Sequence, residues 1–155
     1  MTAPLEVTTR PETTVARRLQ DTLVELIDLS LQAKQAHWNV VGPGFRPVHA
    51  FLDELAVQFR DWYDDVAERL VALEVAPDGR APTVSATTPL DQLPAGPLAE
   101  RTVLESFNER LTLVAARVRE RATAIGDTDL ASQDLLIGVL RGLDKQRWMV
   151  RAHLG

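Results

Sequence analysis

Apolar residues recur by threes and fours in four long blocks of the chain. In the first block Leu19, Leu23, Leu26, Ile27, Ser30 and Leu31 keep this rhythm, the mark of a helix with one buried face. It predicts a helix from Pro11 or Thr13, where Thr-Arg-Pro-Glu is a start signal. The helix should run to about Val40, roughly 28 residues and ~40 Å long. Gly42-Pro43-Gly44 must end it. The second block carries Val48, Leu52, Leu55, Phe59, Trp62, Val66, Leu70 and Leu73, in steps of 4, 3, 4, 3, 4, 4 and 3. It predicts a second helix from near Arg46 or Pro47 until Ala76-Pro77-Asp78-Gly79 stops it.

Residues 77–97 then hold seven prolines and glycines. This is a long crossover, in which Thr88-Pro89-Leu90-Asp91-Gln92-Leu93 is a candidate short helix with Thr88 as cap and Pro89 in the first turn. The third long helix should span about 98–125, with Leu104, Phe107, Leu111, Val114, Val118, Ala122 and Ile125 inward and Gly126 as its stop. A fourth starts after Asp127 or Thr128 and carries Leu135, Leu136, Val139, Leu140, Leu143, Trp148 and Val150. No segment alternates like a strand and no internal repeat is visible. Two long helices, a crossover that allows a parallel return, and two more helices make an all-α fold, a four-helix bundle of ferritin-like connectivity. Residues 1–10, rich in Thr and without periodicity, are expected to form a flexible N-terminal arm, with the bundle domain over 11–155.

Composition narrows the function. A chain of 155 residues with 45% apolar and 25% charged residues suits one globular domain. It has no cysteine, which removes disulfides, zinc–thiolate sites, iron–sulfur clusters and thiol nucleophiles. Seventeen basic against 22 acidic residues leave a net charge of −5, which favours cations over polyanions as partners. No apolar run approaches the ~18 residues a membrane helix needs, and no secretory signal is visible at the N-terminus. A cytoplasmic protein with no membrane partner is the expectation.

The candidate chemistry lies in 37–68, which holds two of the three histidines and a dense set of carboxylates. On a wheel for the second helix, His49, Asp53, Asp64 and Glu68 fall at about 0, 40, 60 and 100°. They share one side, yet His49/Asp53 and Asp64/Glu68 are 15 residues apart, about 22 Å along the axis. One chain cannot close both pairs around one ion. Two antiparallel copies of this helix, related by a two-fold axis near residues 58–59, would set each pair opposite the other, giving two symmetric sites between subunits. His37, just before the Gly-Pro-Gly turn, is placed to join His49. Two imidazoles and three carboxylates suit iron(II), manganese(II) or zinc(II). Against this, an acidic pair on a helix is ordinarily a solvated face, and a histidine at a helix end ordinarily a cap or core residue. Bundles with a di-metal site inside one chain use Glu-x-x-His. Here Lys34, Arg46 and Val150 stand three residues before the histidines, which also favours a site between chains.

His37-Trp38-Asn39-Val40-x-Gly42-Pro43-x-Phe45, then His49, Asp53-Glu54, Asp64 and Ala67-Glu68-Arg69, resembles the signature of the Dps family, the mini-ferritins also called DNA-binding proteins from starved cells. The likeness extends to Leu143-Asp144-Lys145 and the Pro/Gly-rich crossover. It implies a twelve-subunit shell built from two-fold dimers. It also implies ferroxidase activity: iron(II) is oxidised at the dimer interfaces, preferably by hydrogen peroxide, and stored as ferric mineral, which protects against oxidative damage. By position, His37, His49 and Asp53 would come from one chain and Asp64 and Glu68 from its partner. Trp38 resembles the family tryptophan that intercepts radicals, with plain packing as the simpler reading. Lys34 would stand near the site, and Asp65, about 100° from Asp64 on the wheel, would face away from it.

The resemblance also implies acidic pores at three-fold axes, for which Asp127, Asp129 and Asp134 are candidates. Asp127 and Asp134 lie about 20° apart on a wheel. Either Asp127 or Asp129 would equally serve as a helix cap, and Leu130 stands where some relatives carry another acid. A nucleoid-associated DNA-binding protein is the alternative function. The expected arm has no lysine and the chain ends at Arg151-Ala-His-Leu-Gly155, whereas DNA-condensing members use lysine-rich tails. Twelve copies would carry about −60, which repels phosphate. Arg10, Arg17 and Arg18 near the start of the first helix are the candidate basic cluster for DNA.

Overall fold

The computed structural model describes residues 13–155, so the expected arm over 1–10 and Arg10 lie outside the described residues. Helix α1 is Thr14–Asn39, capped by Thr13, whose Oγ1 accepts the Ala16 N–H at 3.1 Å. Helix α2 is Phe45–Ala72 and turns back along α1. The second pair is α4, Glu100–Ile125, and α5, Leu130–Leu154. Gly126 ends α4 in the left-handed region, φ 47°, where a Cβ would be strained. A 3₁₀ turn over Gly126–Thr128 leads into α5. The apolar stripes read from the pattern fill one shared core. Phe59 and Phe107 are fully buried at its centre, with Leu19, Leu23, Leu26, Leu52, Leu55, Leu70, Leu111 and Leu136 around them.

The crossover differs from expectation. The short helix, α3, is Ala81–Thr87 and not 88–93. Pro82 stands in its first turn, and Pro89 explains its end, because a residue before proline is driven out of the helical region. Thr88 is accordingly extended, at φ −61° and ψ 131°. Its hydroxyl donates to Asp28, and Gln92 Nε2 donates to the same carboxylate at 3.0 Å. The side chains that would have capped a helix over 88–93 are thus committed to α1. A second difference precedes α4. Leu98–Ala99 (β2) pair in parallel with Val40–Val41 (β1), which delays the helix to Glu100.

Two positions in the apolar rhythm are not core. Leu31 is 60% and Trp148 59% exposed. Conversely, α1 buries a polar stripe, Thr22, Glu25, Asp28 and Gln32, against α4. Arg121 reaches Glu25 at 2.6 Å and Thr22 at 3.2 Å, Arg117 reaches Glu25 at 2.9 Å, and Arg110 reaches Gln32 at 2.8 Å. The two helices therefore run antiparallel. Arg110 also donates to the Asp91 carbonyl at 2.7 Å, so the same network straps the crossover down. Glu25 is fully buried, and its two guanidinium partners satisfy it.

Candidate metal centre

His37 lies in the last turn of α1 and His49 in the second turn of α2. The turn between them folds the rings face to face, with centroids 3.6 Å apart and planes at 19°. His37 Nδ1 lies 2.8 Å from the His49 carbonyl oxygen, and His49 Nδ1 lies 2.7 Å from the His37 carbonyl oxygen. A carbonyl only accepts, so each Nδ1 carries the hydrogen and donates. In the neutral rings the lone pair is then on Nε2. The exchange also satisfies the His37 carbonyl, one of those a helix C-terminus leaves without an internal partner. Phe45 packs on the outer side of His49, at 4.8 Å. Two imidazoles are thus fixed in tautomer and orientation, which is what second contacts do for metal-ligating histidines.

Asp53 stands one turn beyond His49 and accepts from Lys34 Nζ at 2.6 Å, with the two side chains 51% and 37% exposed. That hydrogen bond holds the Asp53 carboxyl below its ordinary pKa, opposed by slight desolvation and assisted by the field of Lys34, His37 and His49. The carboxylate is therefore ionised at neutral pH. Lys34 Nζ also lies 5.8 Å from the centre of the Trp38 ring, which is itself 68% exposed. Asp64, Asp65 and Glu68 are exposed further along α2. Within one chain, no group of three or more His, Asp or Glu among the described residues gathers to hold a metal ion. The structure joins His37 to His49, brings Asp53 to the same corner, and leaves Asp64 and Glu68 at the far end of the helix.

Comparison with known proteins fits this geometry. The ferritin-like domain family matches residues 16–155. The chain is 37% identical over 147 residues to the DNA protection during starvation protein of Agrobacterium fabrum, covering 92% of this chain and 89% of that one. It is 36% identical to DNA protection during starvation protein 2 of Deinococcus radiodurans, covering 88% of this chain but only 56% of that relative's length. The crystal structure of Dps92 from Deinococcus radiodurans superposes with a TM-score of 0.88 at 34% identity, covering 90% of this chain and 84% of that one. The chain belongs to the Dps family. Its all-α, ferritin-like four-helix bundle is the fold of that family.

The three acidic candidates for a Dps pore stand differently. Asp127 and Asp134 are exposed. Asp129 is the N-cap of α5, accepting from the Ser132 N–H at 3.1 Å and the Ser132 hydroxyl at 2.7 Å. Arg69 donates to both its oxygens, at 2.9 and 3.0 Å. Burial pushes the Asp129 carboxyl up, but the hydrogen bonds from Ser132 and Arg69, with the charge of Arg69, outweigh this and hold it low. Asp129 is thus committed within its own chain. Arg69 stands in the motif Ala67-Glu68-Arg69, but its tie from the end of α2 to Asp129 at the start of α5 is not visible in the sequence. The α1 polar stripe is likewise not visible in the sequence, because its burial depends on partners distant in the chain. Of the basic residues considered for DNA, Arg17 is exposed and Arg18 half-buried. No helix among the described residues is long and apolar enough to cross a membrane.

Proposed function

We propose that this Dps protein is a ferroxidase and iron store. It oxidises iron(II), preferably with hydrogen peroxide, at centres shared between two subunits, and deposits ferric mineral inside a twelve-subunit shell built from two-fold dimers. His37, His49 and Asp53 of one subunit face Asp64 and Glu68 of the partner subunit. The observation that carries this reading is the reciprocal histidine clasp, because it commits both Nδ1 atoms to the main chain and keeps both Nε2 lone pairs for a cation. Two imidazoles and a carboxylate on one side and two carboxylates on the other suit iron(II) and tolerate its ferric product. Two iron(II) ions held at one centre give up one electron each. The O–O bond of one peroxide takes both and breaks, so no hydroxyl radical is released. Lys34 occupies Asp53 as a counter-ion that an arriving cation replaces. Trp38, exposed beside the pair, is placed to intercept stray oxidant. Asp127 and Asp134, three copies of each around an axis, would draw cations inward.

The test is the double variant His37→Ala/His49→Ala. It should assemble like the parent by size-exclusion chromatography with light scattering. Peroxide-dependent iron(II) oxidation, followed by ferric absorbance, should fall to the rate without protein. Oxidation kinetics unchanged from the parent would remove the site assignment.

A further inference from the structure

The turn that brings the two histidines together is held from beneath by a side chain of another element. Glu100 is the first residue of α4. It follows directly on β2, which pairs with β1, so it emerges beside Gly42-Pro43-Gly44. Its carboxylate lies against both glycines. A Cβ on Gly42 would stand 2.9 Å from Glu100 Oε2, and one on Gly44 would stand 2.7 Å from Oε2 and 3.1 Å from Oε1. A Cβ at either position would force the carboxylate to shift. Glu100 Oε2 is also buried and has no hydrogen-bond partner. The carboxylate occupies the space that a Cβ on either glycine would take.

This contact leads straight to the histidines. The Gly44 carbonyl accepts the Val48 N–H at 3.3 Å, and His49 is the next residue. On the other side, Gly42 follows β1, where the Val40 N–H caps α1 on the Ala36 carbonyl, next to His37. A shift of the turn therefore moves both carbonyls that fix the imidazoles. We infer that Glu100 is a positioning residue of the His37/His49 pair, acting by its shape as a wedge under the Gly42–Gly44 turn. This rests on the reading of the pair as a metal centre.

The experiment measures cobalt(II) binding to the assembled protein, by affinity and by the visible ligand-field spectrum, which reports the geometry of the ligands. Glu100→Ala should weaken cobalt(II) by ~10-fold or more, the scale of lost support for metal ligands, and alter the spectrum. Glu100→Gln keeps the wedge and should bind within about threefold of the parent on the same scale. Gly44→Ala should weaken binding from the opposite side, because its Cβ meets the carboxylate. In the double variant Glu100→Ala/Gly44→Ala the new methyl enters the vacated space, and binding should recover beyond either single change, a coupling expected only of groups in contact. Parental affinity and spectrum in Glu100→Ala would overturn the inference. So would a double variant weaker than both singles, or a Glu100→Gln protein as weak as Glu100→Ala. If Glu100→Ala does not fold, Gly44→Ala and the double variant answer the same question. His37→Ala/His49→Ala is the control. Cobalt(II) retained there removes the metal centre and the inference with it, whereas cobalt(II) lost there but kept in Glu100→Ala removes the inference alone.

Discussion

His37 and His49 lie 12 residues apart, yet each is oriented by the other's main chain, so neither ring is set by its own helix alone. The same economy governs Asp129, which caps α5 and receives Arg69 from α2 with one carboxylate. Its two roles separate by substitution. Asparagine keeps a capping oxygen and loses the charge. Asp129→Asn should therefore lower stability by about 1 kcal/mol, the scale of a largely buried ion pair with charge-assisted hydrogen bonds. Asp129→Ala should lose roughly 1 kcal/mol more with the cap. The sign of the pH dependence follows from a folded pKa held below the ordinary value near ~3.9. The stabilisation is complete above that ordinary value and disappears as pH falls through the lower folded one. Thermal midpoints of the parent and Asp129→Asn should thus differ at pH values near ~7 and ~5 and draw together as pH falls below the ordinary carboxylate range near ~3.9. A gap that persists undiminished in acid would mean that the carboxylate charge is not what Arg69 reads.

At the scale of elements, the four long helices were legible because threes and fours in the apolar pattern are a direct image of helical geometry. The short crossover helix was not. Thr88-Pro89 is as good a start signal as Arg80-Ala81-Pro82, and what separates them is Asp28, 60 residues away, which claims the Thr88 hydroxyl. The buried stripe Thr22, Glu25, Asp28 and Gln32 is hidden for the same reason. Polar residues on an amphipathic helix default to the wet face, and partners distant in sequence reverse that: the arginines of α4 for Thr22, Glu25 and Gln32, and Thr88 and Gln92 of the crossover for Asp28. The histidine pair was legible as a pair, since a Gly-Pro-Gly turn between two helix ends allows little else. Its mutual hydrogen bonds were not, because they depend on main-chain positions. One helix–helix contact yields a test. A Cβ on Gly142 of α5 would lie 2.1 Å from Trp62 of α2. Helix propensity alone would make Gly142→Ala stabilising by about 1 kcal/mol. The overlap opposes that with ~1–3 kcal/mol of overpacking or more, so Gly142→Ala should lower the thermal midpoint and shift tryptophan fluorescence. Trp62→Leu in the same background should restore part of the loss.

For the whole molecule, the surface of a single chain is the telling feature. Leu31, Trp38, Val57, Val71, Leu130, Ile137 and Trp148 are all substantially exposed. In the proposed shell, these large apolar side chains outside the core would be covered by neighbouring subunits. The same assembly would account for Leu31 and Trp148, which keep the apolar rhythm and lie outside the core. Val57 is the most informative of them. It is 55% exposed and sits at about 80° on the wheel of α2, inside the arc from His49 to Glu68 and roughly midway between the two half-sites. A two-fold axis near residues 58–59 would bring two copies of Val57 close together. Val57→Glu then places two carboxylates against each other at the axis, a repulsion doubled by symmetry, while a side chain already half in water leaves the fold of one subunit intact. The expected result is a species smaller than the parent by light scattering, with parental helix content and without iron(II) oxidation, although His37, His49, Asp53, Asp64 and Glu68 are all unchanged. His37→Ala/His49→Ala should give the complementary outcome, a full-sized assembly without oxidation. A Val57→Glu protein that is monomeric and still oxidises iron(II) at the parental rate would show that one chain suffices, and the shared centre would have to be abandoned.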